Sequence, residues 1–272
     1  MRLLRRQGEQ SLNFRRSGSG EPLVLIHGIG GELCVWEPVL DRLAESNDVI
    51  AIDLPGFGGS GALPDDVEPT PERLAASVAA FLGELGLETA HVAGNSLGGW
   101  VALELAKAGR ARSVTALCPA GLWGAPIRNA RAPETRGRLH RFARMIRPLV
   151  PVLMLSGRAR ELALGHVVAH PERVPYSAAR RMVSSYARAT AYEATQAAML
   201  SNAFTGGESI DVPLTLAFGE RDRLIRPARL RIAGAQSVIL RDCGHIPMWD
   251  APELTAALIA ETAASARTAA AA

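Results

Sequence analysis

Ser96, Asp222 and His245 could do nucleophilic chemistry together if folding brings them into contact. Ser96 stands in Gly94-Asn95-Ser96-Leu97-Gly98, a G-x-S-x-G pentapeptide between a short apolar run, His91-Val92-Ala93, and a helical pattern from Trp100 to Ala106. A strand, a tight turn and a helix in that order lift a serine out of a sheet in a strained conformation. The flanking glycines leave room where a Cβ would collide. A serine hydroxyl attacks a carbonyl poorly until a base takes its proton, and imidazole suits that task at neutral pH. A carboxylate then fixes the tautomer and steadies the imidazolium. The developing oxyanion needs two preset donors. The backbone N–H groups of Leu97 and of Ile29, the latter in His27-Gly28-Ile29-Gly30-Gly31, are the obvious pair.

Each role has rivals. His27 could be a base, but its place before the glycines suits an orienting hydrogen bond. His91, His140, His166 and His170 lack a strand-end context and read as structural or exposed. Asp242 lies three residues before His245, and Glu220 neighbours Asp222. Asp222 is preferred as the acid because it follows a strand end and precedes a helix. Asp53, another strand-end carboxylate, is expected to order the loop Asp53-Leu54-Pro55-Gly56-Phe57-Gly58-Gly59-Ser60 through backbone N–H groups. Cys243 reads as a half-buried thiol more readily than as a nucleophile.

The elements that must position these groups follow from hydrophobic periodicity. Leu23–Ile26 and Val49–Ile52 are unbroken apolar runs of the kind buried on both faces of a sheet. Further strands are expected at Ser113–Cys118, Pro213–Phe218 and Ser237–Leu240, and a short antiparallel pair at Arg2–Arg6 and Ser11–Arg16. Between them lie helices at Cys34–Ala44, from Thr70 and Pro71 to a stop at Gly86, around Ala228–Ala233, and at Pro252–Ala264. The alternation predicts a parallel sheet with right-handed crossovers, in which residues just past the strand ends gather along one edge.

Residues 120–211 break this pattern. They are helical in period and carry 13 Arg against 6 acids, a balance of +7 within a chain whose net charge is +3. Leu139, Phe142, Ile146 and Leu149 mark an amphipathic helix whose apolar face is expected toward a core or a substrate. Arg138, Arg141, Arg144 and Arg147 are expected to form its solvated side. A second helix is expected over Ser177–Leu200.

With 272 residues, 48% of them hydrophobic, the chain suits one sizeable α/β domain. The near-balanced charge announces no nucleic-acid partner. Cys34, Cys118 and Cys243 are too scattered for a disulfide framework or a zinc site, and no cofactor or metal is expected. No run approaches the roughly 20 apolar residues that cross a bilayer. The basic N-terminus has no apolar stretch behind it, so a cytoplasmic location is expected.

Jointly, His27-Gly28-Ile29-Gly30-Gly31, the Asp53–Ser60 loop, Gly94-Asn95-Ser96-Leu97-Gly98-Gly99, Gly219-Glu220-Arg221-Asp222 and Gly244-His245 resemble the serine α/β-hydrolases over nearly the whole chain. The resemblance implies an α/β-hydrolase fold with an eight-stranded, mostly parallel sheet flanked by helices and a helical cap insertion. Residues 1–119 and 212–265 would form the core, 120–211 the cap, and 266–272 a disordered tail. The triad would be Ser96, Asp222 and His245. Ser in place of Asp at the turn departs from haloalkane dehalogenases and epoxide hydrolases. The first glycine loop lacks the Ser-Gly-Pro-Gly style of many C–C bond hydrolases. The expected activity is cleavage of a small-molecule carboxylic ester, with Trp123, Phe142, Met145 and Ile146 lining an acyl or aromatic pocket. C–C bond hydrolysis, acyl transfer and a non-catalytic binding role are the alternatives.

Overall fold

The computed structural model describes residues 12–127, 131–226 and 232–271. Seven strands form one sheet among them: β1 (Phe14–Ser17), β2 (Glu21–Ile26), β3 (Asn47–Ile52), β4 (Ala90–Asn95), β5 (Ala111–Leu117), β6 (Leu214–Gly219) and β7 (Gln236–Leu240). Their spatial order is β1-β3-β2-β4-β5-β6-β7, and every neighbouring pair is parallel except β1 with β3. Eight strands were expected and seven are found among the described residues. Phe14–Ser17 pairs with β3 instead of closing a hairpin, and the expected partner Arg2–Arg6 lies outside the described residues.

Alternation along the strands makes two cores. Val24 and Ile26 of β2 point to one face with Ile50, Ile52, Val92 and Val114, while Leu23 and Leu25 point to the other with Val49, Ala51 and Ala93. The first core is closed by α2 (Pro71–Glu84) and α3 (Leu97–Lys107), and the second by α1 (Glu37–Ala44), the short α9 (Pro247–Asp250) and α10 (Pro252–Ala271). Fully buried large side chains such as Trp36, Trp100, Phe81 and Phe218 each contribute roughly 1.5–3 kcal/mol by leaving water. The cap of α2 is as the sequence suggests: Thr70 Oγ1 accepts the N–H of Arg73 at 3.4 Å, and Pro71 opens the first turn. By contrast, α10 runs on through the alanine-rich segment where fraying was expected, since alanine is the strongest helix former. The helix expected at Ala228–Ala233 falls largely on residues outside those described.

Between β5 and β6 the chain forms helices α4 (Arg131–Ile146), α5 (Val150–Leu153), α6 (Gly157–Leu164), α7 (Tyr176–Arg188) and α8 (Tyr192–Ser201). One helix was expected over Ser177–Leu200, but the chain breaks at Ala189-Thr190-Ala191. The break seats on the loop after β3: the N–H of Ala191 reaches the carbonyl of Gly56 at 3.3 Å, and a Cβ on Gly56 would strike that of Ala191. A third, smaller core, with Val150, Met154, Leu164, Val168, Val174 and Ala179, holds α5, α6 and α7 together.

The chain leaves β2 toward β3 on one side and enters β4 on the other, so the sheet reverses between β2 and β4. Crevices at such reversal points open at the carboxyl ends of the strands.

Candidate active site

Ser96 occupies the turn between β4 and α3 with φ 57° and ψ −115°, a backbone state that a side chain adopts only under strain. The neighbours impose it. A Cβ at Gly94 would strike the carbonyl of Gly98, and one at Gly98 would strike that of Ile26, so only glycine fits at either place. Ser96 N–H donates to Leu117 O at 2.9 Å, while Ser96 O accepts from Trp100 at 3.2 Å and Ala120 at 3.0 Å. Ser96 is buried, with 7% of the residue exposed.

His245 Nδ1 and Asp222 Oδ2 are 2.7 Å apart. Asp222 Oδ1 accepts the N–H groups of Leu224 at 2.7 Å and Ile225 at 3.0 Å. Burial works to raise the Asp222 pKa, but the bond from His245 and the two backbone donors outweigh it and hold the carboxyl below its ordinary value. The loops carrying the two residues are bound to each other, with Arg221 N–H on Cys243 O at 2.8 Å and Glu220 N–H on Leu240 O at 2.9 Å. They also meet the serine turn: the amide of Asn95 donates to His245 O at 2.8 Å and to Leu117 O at 3.2 Å. Asn95 thus joins the strand that carries Ser96 to the loop that carries His245.

Parallel register sets Ile26 beside Gly94 and so brings the loop after β2 against the serine. A Cβ on Gly28 would stand 3.0 Å from Ser96 Cβ. His27 orders this loop. Its Nε2 accepts the N–H of Leu54 at 2.9 Å, so Nδ1 carries the proton and donates to Gly28 O at 2.7 Å. Both nitrogens are thereby occupied, and burial, opposed by the Asp53 charge, lowers the pKa. Asp53 accepts N–H groups from Leu33 at 2.6 Å and Gly59 at 2.8 Å and the Asn13 amide at 2.7 Å, the loop-ordering role its sequence context suggested. Leu97 is the first residue of α3, where an N–H has no acceptor within the helix.

A profile of the Alpha/beta hydrolase family matches residues 23–258. The chain belongs to that family. It is 30% identical over 253 residues to the dihydrolipoyllysine-residue acetyltransferase component of the acetoin cleaving system of Cupriavidus necator, a match covering 87% of this chain and 62% of that protein. It is 33% identical over 198 residues to epoxide hydrolase EphH of Mycobacterium tuberculosis, covering 66% of this chain and 88% of the relative. Its fold superposes on a thermophilic esterase from Thermogutta terrifontis with a TM-score of 0.73 at 25% identity, covering 94% of this chain and 93% of that one.

The other candidates in this α/β-hydrolase are occupied elsewhere. Asp242 pairs with His170 at 2.8 Å and with Arg221 at 2.8 Å on the surface, and Glu220 accepts the N–H of Asp242 at 3.0 Å. His91 bonds Ser113 Oγ at 2.8 Å inside the sheet. His140 is buried against Tyr186 and Tyr192, with Nε2 3.0 Å from Tyr186 O, and His166 is exposed. Cys243 is buried, and burial pushes its thiol up to about 11, which removes it as a nucleophile.

The pocket residues expected from sequence divide. Trp123 packs edge-on against Trp100 at 5.6 Å and its indole donates to Asn202 O at 3.0 Å. Phe142 and Met145 are corrected: they are 52% and 70% exposed, because α4 packs through Gly137, His140 and Ala143 instead, leaving Ile146 half-buried at the edge. The rings standing over the glycine loop after β2 belong to Tyr186 and Tyr192, which a Cβ on Gly30 would meet at 2.7 and 3.3 Å. No periodicity distinguished these tyrosines, since they flank a helix break that the sequence does not announce.

Two further residues escaped the sequence reading. Asp250 accepts the N–H of Gly244 at 2.7 Å, of Ala169 at 3.0 Å and of His170 at 2.9 Å, and so clamps the helical segment to the loop of His245. The Ile246 N–H, on Val167 O at 2.9 Å, closes the same seam. Cys118 stands at φ 45° with its sulfur accepting the Gly219 N–H at 3.4 Å. Its sulfur, the Asp222 carboxylate and a ring nitrogen of His245 lie within 4.8 Å of one another. Burial raises the thiol well above its ordinary pKa, so Cys118 contributes a neutral thiol here and not the thiolate a metal would require.

Proposed function

We propose that this hydrolase cleaves a carboxylic ester of a small to medium apolar substrate through an acyl-enzyme on Ser96. The reading is carried by the strained Ser96 turn together with the 2.7 Å Asp222–His245 contact on a loop that Asn95 ties to it. With Nδ1 of His245 held by Asp222, the other ring nitrogen serves as the base. Ser96 Oγ bonds to the ester carbonyl carbon as its proton passes to His245, and the N–H groups of Leu97 and Ile29 receive the oxyanion. Collapse breaks the ester C–O bond and the alcohol leaves with the proton from His245. Water then repeats the sequence and releases the acid. Tyr186 and Tyr192, over Gly30, form the pocket wall nearest the reacting carbonyl. Residues 120–211 act as a cap, and the catalytic loops belong to the core of residues 1–119 and 212–265.

A hydroxyl nucleophile fits acyl chemistry, and the superposition on an esterase supports the same reading. Acyl transfer to an acceptor other than water is the second reading, favoured by the acetyltransferase name of one relative, of which this chain spans 62%. Covalent labelling of Ser96 by a fluorophosphonate and hydrolysis of p-nitrophenyl butyrate are expected. Ser96→Ala should cost about 10⁴-fold or more in kcat. Full activity in that variant overturns the mechanism, and faster release of p-nitrophenol on adding alcohols or amines favours transfer.

A further inference from the structure

The apolar stripe of α4 faces the wrong way for a helix that only caps a core. Leu139 and Phe142 are 51% and 52% exposed, Met145 is 70% exposed, and Leu149 just past the helix is 57% exposed, while Gly137, His140 and Ala143 make the packed side. The pattern continues beyond α4. In the run Val150-Pro151-Val152-Leu153-Met154-Leu155, Val150 and Met154 enter the small core, but Val152 and Leu155 are 68% and 66% exposed. A segment apolar all round belongs inside a structure, and here one side stands in water. Of the 13 exposed large apolar side chains among the described residues, 8 fall between Leu139 and Leu162, so the exposure is a patch and not scatter.

The charge around the patch is one-sided. Residues 137–162 hold six arginines, at 138, 141, 144, 147, 158 and 160, against the single acid Glu161. Arg141 reaches Glu193 at 3.3 Å, while Arg144, Arg147 and Arg158 pair with no acid among the described residues. Two copies of this chain meeting through the patch would set these arginines against one another. An anionic bilayer has the opposite requirements: it takes apolar side chains below the headgroups and arginine guanidiniums beside the phosphates.

We propose that this face of α4, α5 and the turn between them is a docking surface for anionic lipid membranes, lying on the interface without crossing it. No helix among the described residues is long and apolar enough to cross a membrane, which fits docking alone.

The test uses the full chain and sedimentation with vesicles of phosphatidylcholine, with and without 30 mol% phosphatidylglycerol, that percentage being on the order of natural anionic content. Binding is expected only with the anionic lipid and should weaken steeply at high salt. Phe142→Ser with Met145→Ser should weaken binding about tenfold or more, and Arg144→Glu with Arg147→Glu by at least as much, with circular dichroism and melting unchanged. If the serine pair disturbs folding, the glutamate pair decides alone. Equal recovery with neutral and anionic vesicles, or none with either, overturns the proposal. So does a concentration-dependent dimer in analytical ultracentrifugation that the serine pair dissolves, which would make a second copy the occupant.

Discussion

The carboxylate of Asp250 holds the N–H of Gly244 at 2.7 Å, one residue before His245. The same carboxylate holds Ala169 and His170, so a single buried side chain sets both the catalytic-candidate loop and the seam with the helical segment. Asp250→Ala would leave three backbone donors without their acceptor. It is expected to cost about 3 kcal/mol of stability and to lower kcat at least about tenfold. Asp250→Asn keeps one acceptor oxygen and should fall between. Chemical denaturation and steady-state kinetics on p-nitrophenyl butyrate check both, and an unperturbed kcat in the alanine variant would show that His245 is positioned without this contact.

Strain at Ser96 has a thermodynamic signature. At φ 57° alanine is as strained as serine, whereas glycine is not. Ser96→Gly is therefore expected to be more stable than Ser96→Ala by about 1 kcal/mol, although both lose activity. Paired thermal melts measure this, and a more stable alanine variant would mean that the turn relaxes once the hydroxyl is gone.

Stability should fall with acid in a defined window. Burial, against the opposing charge of Asp53, lowers the His27 pKa below its ordinary 6.5, and burial lowers that of His140 as well. As the pH drops below 6.5 the unfolded chain takes up protons that the folded chain refuses, so the free energy of unfolding decreases there. The loss approaches about 1.4 kcal/mol per pH unit for each such group until the folded histidine itself titrates. Asp222 acts lower: its depressed pKa stabilises the fold above the ordinary carboxylate range and the contribution is lost below it. Urea titrations at pH values on the order of 8, 6 and 5 should give declining stability. His27→Asn should show a shallower decline than wild type, and an equal slope would assign the acid sensitivity elsewhere.

Much of the molecule was legible in one dimension because its signals are local. Unbroken apolar runs mark β2 and β3, and Gly94 and Gly98 mark a turn whose sterics admit no Cβ. The order of Ser96, Asp222 and His245 along the chain, with the glycine-rich loop after β2, identified the family. The orientation of α4 was not legible. Its periodicity gave an apolar stripe, but small residues, Gly137 and Ala143, with His140 between them, made the closer packing surface and turned that stripe outward.

The break between α7 and α8 likewise depends on Gly56, more than 130 residues away, and Asp250 matters only through the three backbone groups that folding delivers to it. By itself the sequence determined the fold family and which side chains are the candidates for its chemistry, since elbow sterics and hydrophobic period act between near neighbours. The tertiary structure alone decided which rings stand over Gly30 and which face of the helical segment meets water, because those follow from packing between distant parts of the chain.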